Sequence, residues 1–337
     1  MLIVRPIAFT DLEDLYELAV KAGNGMTSLP KNRKALEGRI RSSVDSFART
    51  EKHGDDFFLL VMEDTERSKV VGCAGVFAQT GARQAFYAYR LMSVTHHSHS
   101  LNKQVRSQLL HLTNDYTDCS EVGALFLDPA YKGNGNWLAR CRYMLIGLYP
   151  HRFAESVIAE LRGYTDEDGS SPFWDAIGAH FFQMPYQEAD DLCSVNSNQF
   201  ITELMPKYPI YTSLLPEEAK EVIGQPATAS RRAKQLLEVE GFRYEKVVDI
   251  FDAGPIMRAD IGWIRTIREM QSTPVKIAGA SEELSQQGIL CNPDWSHLRM
   301  ARVESASAGP VCPAGTVTAL GLNDGDDCAY LAVEKLA

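Results

Sequence analysis

Leu125-Phe126-Leu127-Asp128-Pro129-Ala130-Tyr131-Lys132-Gly133-Asn134-Gly135 is the stretch on which the fold turns. An apolar strand runs into Asp-Pro, the chain turns through two glycines, and a helix begins near Asn136 and Trp137. That order makes an anion site, because unpaired backbone N–H groups and the positive end of the helix dipole converge. Glycine lets the backbone approach a phosphate with no side chain between them. Taken alone, the same Gly-x-Gly also fits an ordinary turn.

Upstream, residues 2–7 read as a strand. Thr10-Asp11-Leu12-Glu13 reads as a capping box, opening a helix with Leu12, Leu15, Tyr16 and Ala19 on one face. A second helix is expected over residues 31–50, then antiparallel strands over 57–62, 70–78 and 86–95. Residues 122–127 are apolar throughout, as in a strand covered on both faces. The helix after Gly135 carries Leu138, Cys141, Met144, Leu145 and Leu148, and residues 157–161 form a short strand.

Ser170-Ser171-Pro172-Phe173-Trp174 starts a further helix, with serine as cap and proline in the first turn. Helical stretches follow near 186–192, 198–205, 216–223 and 230–240, the last closed by Gly241, and then a strand over 242–251. Beyond Gln271, short Val/Ile/Leu runs between Gly, Pro, Asn and Asp predict a small β-rich appendage. The expected division is 1–150, 151–270 and 271–337.

A chain of 337 residues, 45% hydrophobic and 23% charged, builds a large core and is not disordered. The net charge of −10 argues against nucleic acid or an anionic membrane as partner. Met1-Leu2-Ile3-Val4-Arg5-Pro6 lacks a signal-peptide layout, and no apolar run reaches membrane-spanning length. Seven scattered cysteines with no Cys-x-x-Cys fit free thiols in a reducing cytoplasm.

The turn follows an antiparallel meander and not an N-terminal βαβ unit, which disfavours a dinucleotide. No Gly-Lys-Ser/Thr follows it, so it is not a P-loop. A pyrophosphate-containing acyl carrier remains. The element order and the run from Asp128 to Gly135 resemble the coenzyme A loop of the Gcn5-related N-acetyltransferases, with Trp137 where that pattern ends in a small residue. A narrower resemblance rests on Thr27-Ser28-Leu29-Pro30, Leu125–Pro129, Gly133–Gly135, Ser171–Trp174, Glu203–Lys207 with Pro209-Ile210-Tyr211, Val222–Gln225, Glu240–Tyr244 and Asp249–Pro255. In order and spacing these are similar to the arginine N-succinyltransferase family, over roughly residues 1–270.

The resemblance implies an α/β acyl-CoA N-acyltransferase fold: a GNAT-like mixed sheet with flanking helices, a second partial half and a small C-terminal β-barrel. It implies succinyl transfer from succinyl-CoA to the α-amine of L-arginine, the first step of an arginine degradation route. Succinyl-CoA is then a co-substrate, with no permanently bound cofactor, and the assembly is a homodimer or a two-subunit enzyme. The acyl-CoA contact maps to Leu125, so the backbone of Leu125, Phe126 and Leu127 is expected to hold the pantetheine arm and polarise the thioester. Gly133, Asn134 and Gly135 would take the pyrophosphate. Lys132, Arg140 and Arg142 would serve the succinyl carboxylate or the adenosine phosphates.

One departure concerns the chemistry. Where the family places a proton-donor histidine after Val-Ile-Gly-Gln, an ungapped alignment puts Ala227. Losing one acid–base group costs roughly 10²–10⁴-fold, which need not abolish turnover when positioning remains. His96 aligns with a family histidine and is the candidate for a relocated role. Two rival readings stay open: a related acyltransferase with another acyl group or amine, and a non-catalytic subunit. Thr95-His96-His97-Ser98-His99 has no Asp, Glu or Cys nearby, so a solvated strand end is favoured over a metal site. The substrate guanidinium needs carboxylates, for which Asp249, Asp252 and Glu203 are candidates beside their plainer reading as turn and cap residues. Thr27 and Ser28 mark the loop where this fold usually builds its acceptor pocket.

Overall fold

The computed structural model describes residues 1–23, 26, 28–82, 85–195, 199–279, 283–306 and 309–333. In chain order come β1 (Leu2–Pro6), α1 (Leu12–Ala22), α2 (Arg33–Ala48), β2 (Phe57–Asp64) and β3 (Lys69–Phe77). A long hairpin follows, β4 (Ala88–Ser98) and β5 (Lys103–Thr113), then β6 (Ser120–Leu127), α3 (Gly135–Leu148) and β7 (Ser156–Glu160). Short helices α4 (Pro172–Ala176), α5 (Gly178–Phe182), α6 (Tyr186–Val195) and α7 (Gln199–Leu204) lead to β8 (Ile210–Tyr211). Next are α8 (Glu217–Val222), α9 (Arg231–Glu240), β9 (Arg243–Val248), β10 (Pro255–Asp260) and α10 (Arg265–Glu269). The chain ends through β11 (Gln271–Pro274), β12 (Lys276–Ile277), β13 (Gln286–Asn292), β14 (Arg299–Ser305), β15 (Val311–Cys312), α11 (Ala314–Ala319) and β16 (Asp327–Val333).

These elements form two compact units. The first takes residues from Met1 to Ala78, Val122 to Glu155 and Asp260 onward; the second takes Gln79 to Glu121 and Ser156 to Ala259. The units interleave along the chain, whereas the segments 1–150, 151–270 and 271–337 are consecutive.

In the first unit the strand order is β11-β16-β13-β14-β1-β2-β3-β6. Helices α1 and α2 bury Leu15, Leu18, Ala19, Leu36 and Ile40 in a core shared with Leu59, Val61 and Cys73. The expected capping box at Thr10–Glu13 does not cap α1. Asp11 instead accepts the Ala8 N–H (2.8 Å) and a two-point pair from Arg5, while Glu13 pairs with Arg33. Helix α3 is buried from Trp137 to Ile146, not on one face alone. A buried ion pair ties the unit together: Arg152 Nη2 lies 3.0 Å from Asp56 Oδ2, with the guanidinium over the rings of Phe58 and Trp295.

The expected C-terminal β-barrel is not closed. Strand β14 pairs with β1 (Val4 opposite Met300), so residues after 270 extend the first unit's sheet through β13, β16 and β11. An edge that pairs outward in this way is not available to close on itself. Strands β12 and β15 form a separate parallel pair.

In the second unit, β6 begins beside β7 in parallel, Ser120 with Val157 and Glu121 with Ile158. The order continues β7-β10-β9-β4-β5-β8. The strand expected over 86–95 does not complete a meander with β2 and β3. It is the first half of the hairpin, pairing with β5 and, at Tyr89 and Arg90, with β9. The sequence does not mark strand β5, because its Lys, Gln, Arg and Ser residues break the apolar alternation of a half-buried strand. Ser171 caps α4 as expected, accepting the Trp174 N–H at 3.2 Å, and Trp174 packs on Phe251 and Phe182.

Six cysteines (Cys73, Cys119, Cys141, Cys291, Cys312, Cys328) are free and buried. Among the described residues, no helix is long and apolar enough to cross a membrane, and no Cys/His/Asp/Glu cluster fits a metal ion.

Candidate functional site

The opening stretch folds as a strand, a short helical turn and a helix. Asp128 accepts the Ala130 N–H (3.0 Å) and pairs with Lys21 (2.6 Å). The Lys21 bond, followed by that N–H, holds the Asp128 carboxyl below the usual carboxylate range. Gly133 has φ +100°, a conformation costly for any residue with a Cβ. Space is open around Gly133 and Gly135, since a Cβ at either would meet nothing within 4 Å.

Asn134 occupies the N-cap position of α3 but makes no side-chain cap. Its amide donates to the Tyr131 carbonyl (2.9 Å), and its oxygen accepts from Trp137 Nε1 (3.1 Å). Trp137 therefore fixes the turn from beneath, which explains a large residue where the acetyltransferase pattern has a small one. This 14-residue helix begins at Gly135, beside that open space, and the unpaired N–H groups of a helix start suit a phosphate. Lys132 is exposed beside the turn and has no ion-pair partner among the described residues.

Strand β6 is distorted just before the turn. Ala124 takes φ +47°, a left-handed conformation that a non-glycine residue holds only when its surroundings impose it. Its carbonyl accepts from Cys73 Sγ (3.2 Å). The Gly123 carbonyl is 3.5 Å from Arg142 Nη1, and Arg142 Nε donates to the Ala139 carbonyl (3.2 Å). Arg142 is buried, burial lowers its pKa, and these two bonds make it a brace for β6. Arg140 is buried too. Leu125, Phe126 and Leu127 follow the distortion and are only half-buried.

The second unit gathers a different set of groups. Arg162 makes a two-point pair with Asp190 (3.0 and 2.5 Å), donates to the Tyr186 hydroxyl (2.6 Å) and lies 3.6 Å from Asp252. Asp252 also accepts the Gly254 N–H (2.8 Å). Asp249 Oδ1 accepts the N–H groups of Phe251 (2.7 Å) and Asp252 (3.0 Å), so the turn reading of Asp249 holds as well. Its carboxyl is pushed up to about 7, first by burial and then by the charge of Asp252.

Glu160, at the end of β7, is an exposed residue, although protein atoms crowd its carboxyl. That crowding, then Glu121, Asp249 and Asp252, raises its pKa well above the ordinary value, with Arg162 opposing. The backbones meet closely here: a Cβ on Gly163 would lie 2.2 Å from the Asp252 carbonyl oxygen, and one on Gly254 2.0 Å from that of Leu161. Glycine at both positions is what brings the Asp249–Pro255 motif against Arg162.

Ala227 belongs to this neighbourhood. Its N–H donates to the Arg162 carbonyl (2.8 Å), and Pro226 bridges to Gly163. His96 sits on the exposed outer part of the β4–β5 hairpin, 6.3 Å from the Tyr211 ring. His97 and His99 stack edge-on at 4.6 Å. Glu203 is exposed on α7. Ser28 lies half-buried in a turn, and Thr27 lies outside the described residues. Sequence reasoning missed Glu160, Arg162, Tyr186 and Asp190. The one available signal was a glutamate and an arginine closing an otherwise apolar strand.

Residues 2–266 match the family described as arginine N-succinyltransferase beta subunit. An arginine N-succinyltransferase from Escherichia fergusonii is 36% identical over 97% of this chain and 96% of its own length. One from Yersinia enterocolitica is 42% identical over 82% of this chain and 81% of its own. Among solved structures, arginine/ornithine succinyltransferase subunit AI from Pseudomonas aeruginosa superposes with a TM-score of 0.89, at 31% identity and 99% coverage of both chains.

Proposed function

This chain belongs to the arginine N-succinyltransferase family, and we propose that it moves a succinyl group from succinyl-CoA to the α-amine of L-arginine. The observation that carries the reading is the open glycine turn at the start of α3, with Lys132 beside it and the strained strand end before it. The turn's N–H groups would take the pyrophosphate, and the backbone of Leu125–Leu127 would hold the pantetheine arm. The neutral amine attacks the thioester carbonyl, the C–N bond forms, and the C–S bond breaks as the tetrahedral intermediate collapses. The amine loses one proton and the leaving thiolate gains one. Holding the two reactants together supplies much of the rate.

For the acceptor, Asp249 and Asp252 suit a guanidinium, although Asp252 already faces Arg162. Glu160 is the better candidate than His96 for the proton transfer that Ala227 cannot perform. It stands in the same cluster as Arg162, whose carbonyl bonds the Ala227 N–H, and crowding and the nearby carboxylates push its pKa upward, the direction a proton-exchanging group needs. A cytoplasmic enzyme with free thiols, assembled from two or more subunits, completes the reading.

Steady-state assays of the purified chain with succinyl-CoA or acetyl-CoA, against arginine or ornithine, test it. Turnover of arginine with succinyl-CoA is expected. Binding of succinyl-CoA with no turnover, restored by a second subunit, would favour the non-catalytic reading.

A further inference from the structure

A cavity of about 290 Å³ lies in the first unit beside the glycine turn. Asn134 of the turn and Trp137, from the first turn of α3, line it together with Leu2 of β1. The rest of its polar lining is Gln287 of β13 and Arg302 and Glu304 of β14. Those three residues lie past the span 2–266 that the family match covers, in the sheet extension reached through the β1–β14 pairing. The cavity is therefore made where that extension meets the start of α3.

Its lining is suited to a ligand of mixed character. Arg302 and Glu304 alternate along β14, so both project from one face, and both are exposed. Opposite charges on one face of a strand can pair, yet neither has an ion-pair partner among the described residues. Arg302 donates to the amide oxygen of Gln287, the residue opposite Glu304, which leaves most of its guanidinium N–H groups for another acceptor. Trp137 gives its N–H to Asn134 and so offers the cavity only apolar surface, as does Leu2. An anion at one point, N–H donors at another and a flat apolar body between them would match these groups. Ligand sites run roughly 300–1,000 Å³, so this one has room for a base and its sugar and not for a whole coenzyme.

We propose that the cavity takes the adenosine 3′-phosphate end of coenzyme A. Arg302 pairs with the 3′-phosphate, for which its planar fork is shaped, and Glu304 accepts from the exocyclic amine of adenine. The proposal rests on the coenzyme reading above and deepens it: Asn134 belongs to both the turn and the cavity, so a pyrophosphate on the turn leaves the adenosine at the cavity mouth.

Titration calorimetry on the full chain tests it, with coenzyme A and with dephospho-coenzyme A, which lacks only the 3′-phosphate. The wild type should bind coenzyme A roughly 10-fold more tightly, a comparison that needs no variant. Arg302→Gln should erase that preference, leave the affinity for dephospho-coenzyme A unchanged, and melt with the wild type because the side chain is exposed. Glu304→Leu should weaken both compounds by the same factor. A wild type that binds both equally, or an Arg302→Gln variant that keeps the preference, would leave the phosphate to solvent or to another cation such as Lys132. Either result would overturn the subsite while the coenzyme reading stands. A Glu304→Leu variant with both affinities intact would take adenine out of the cavity and overturn the subsite as well. A wild type that binds neither compound would overturn the subsite and the coenzyme reading together.

Discussion

The glycine turn of the first unit and the carboxylate cluster of the second are built from different materials. At the turn the groups proposed to function are backbone N–H donors, and side chains such as Asn134, Trp137 and Arg142 shape and brace the backbone around them. In the cluster the groups proposed to function are side chains, Glu160, Arg162, Tyr186, Asp190, Asp249 and Asp252, from three stretches of chain. A backbone site is local and tolerates side-chain variation so long as its dihedral angles survive. A side-chain site depends on distant segments meeting, and is lost when the packing between them changes.

The largest effect should come from breaking that meeting. Gly163→Ala places a methyl 2.2 Å from the Asp252 carbonyl oxygen, where only backbone can move. We expect a loss of about 4 kcal/mol in stability and at least about 100-fold in activity. Melting curves and arginine turnover would check both, and a variant with wild-type melting and turnover would mean that the contact is slack. Next comes Glu160→Gln, which keeps the shape and removes the proposed proton-transfer group. Its kcat should fall roughly 10²–10⁴-fold, with the succinyl-CoA KM unmoved and the limb of the pH–rate profile assigned to Glu160 gone. An unchanged profile would return the acid–base role to another group.

The turn should respond in a different variable. Gly133→Val forces a β-branched residue to φ +100° in open space, so the cost is backbone strain and not a clash. Strain of about 1–3 kcal/mol would raise the succinyl-CoA KM roughly 10–100-fold and leave the arginine KM alone. A variant that shifts both constants equally would show that the two regions are not independent.

The same contrast explains what could be read from the sequence. Asp128-Pro129, Gly133 and Gly135 advertise a turn because their backbone preferences act locally, and the helix behind them shows its apolar residues. The hairpin partner Lys103–Thr113 was hidden, since a strand with exposed faces has no alternation to reveal it. Glu160 and Asp190 were hidden for another reason: a carboxylate becomes unusual only through its neighbours, and those lie far along the chain. The appendage read correctly as β-rich but not as an extension of the sheet, because Val4 and Met300 pair across nearly the whole sequence.

The smallest effect concerns Asp249 and is the one most able to separate a binding role from a turn role. Its folded pKa, about 7, lies above that of an exposed aspartate, so between roughly pH 4 and 7 the folded chain holds a proton that the unfolded chain has released. Its contribution to stability is therefore fullest at low pH and is lost as pH rises through about 7. Asp249→Asn retains an oxygen for the Phe251 and Asp252 N–H groups and removes the buried charge. The variant should melt with the wild type near pH 4 and pull ahead by about 2 °C or more at pH 8. Adding arginine should reverse that order at pH 8, because a bound guanidinium repays the ionised carboxylate and has nothing to pair with in the amide. If arginine raises both melting points equally, Asp249 shapes the turn and the guanidinium is held elsewhere in the cluster.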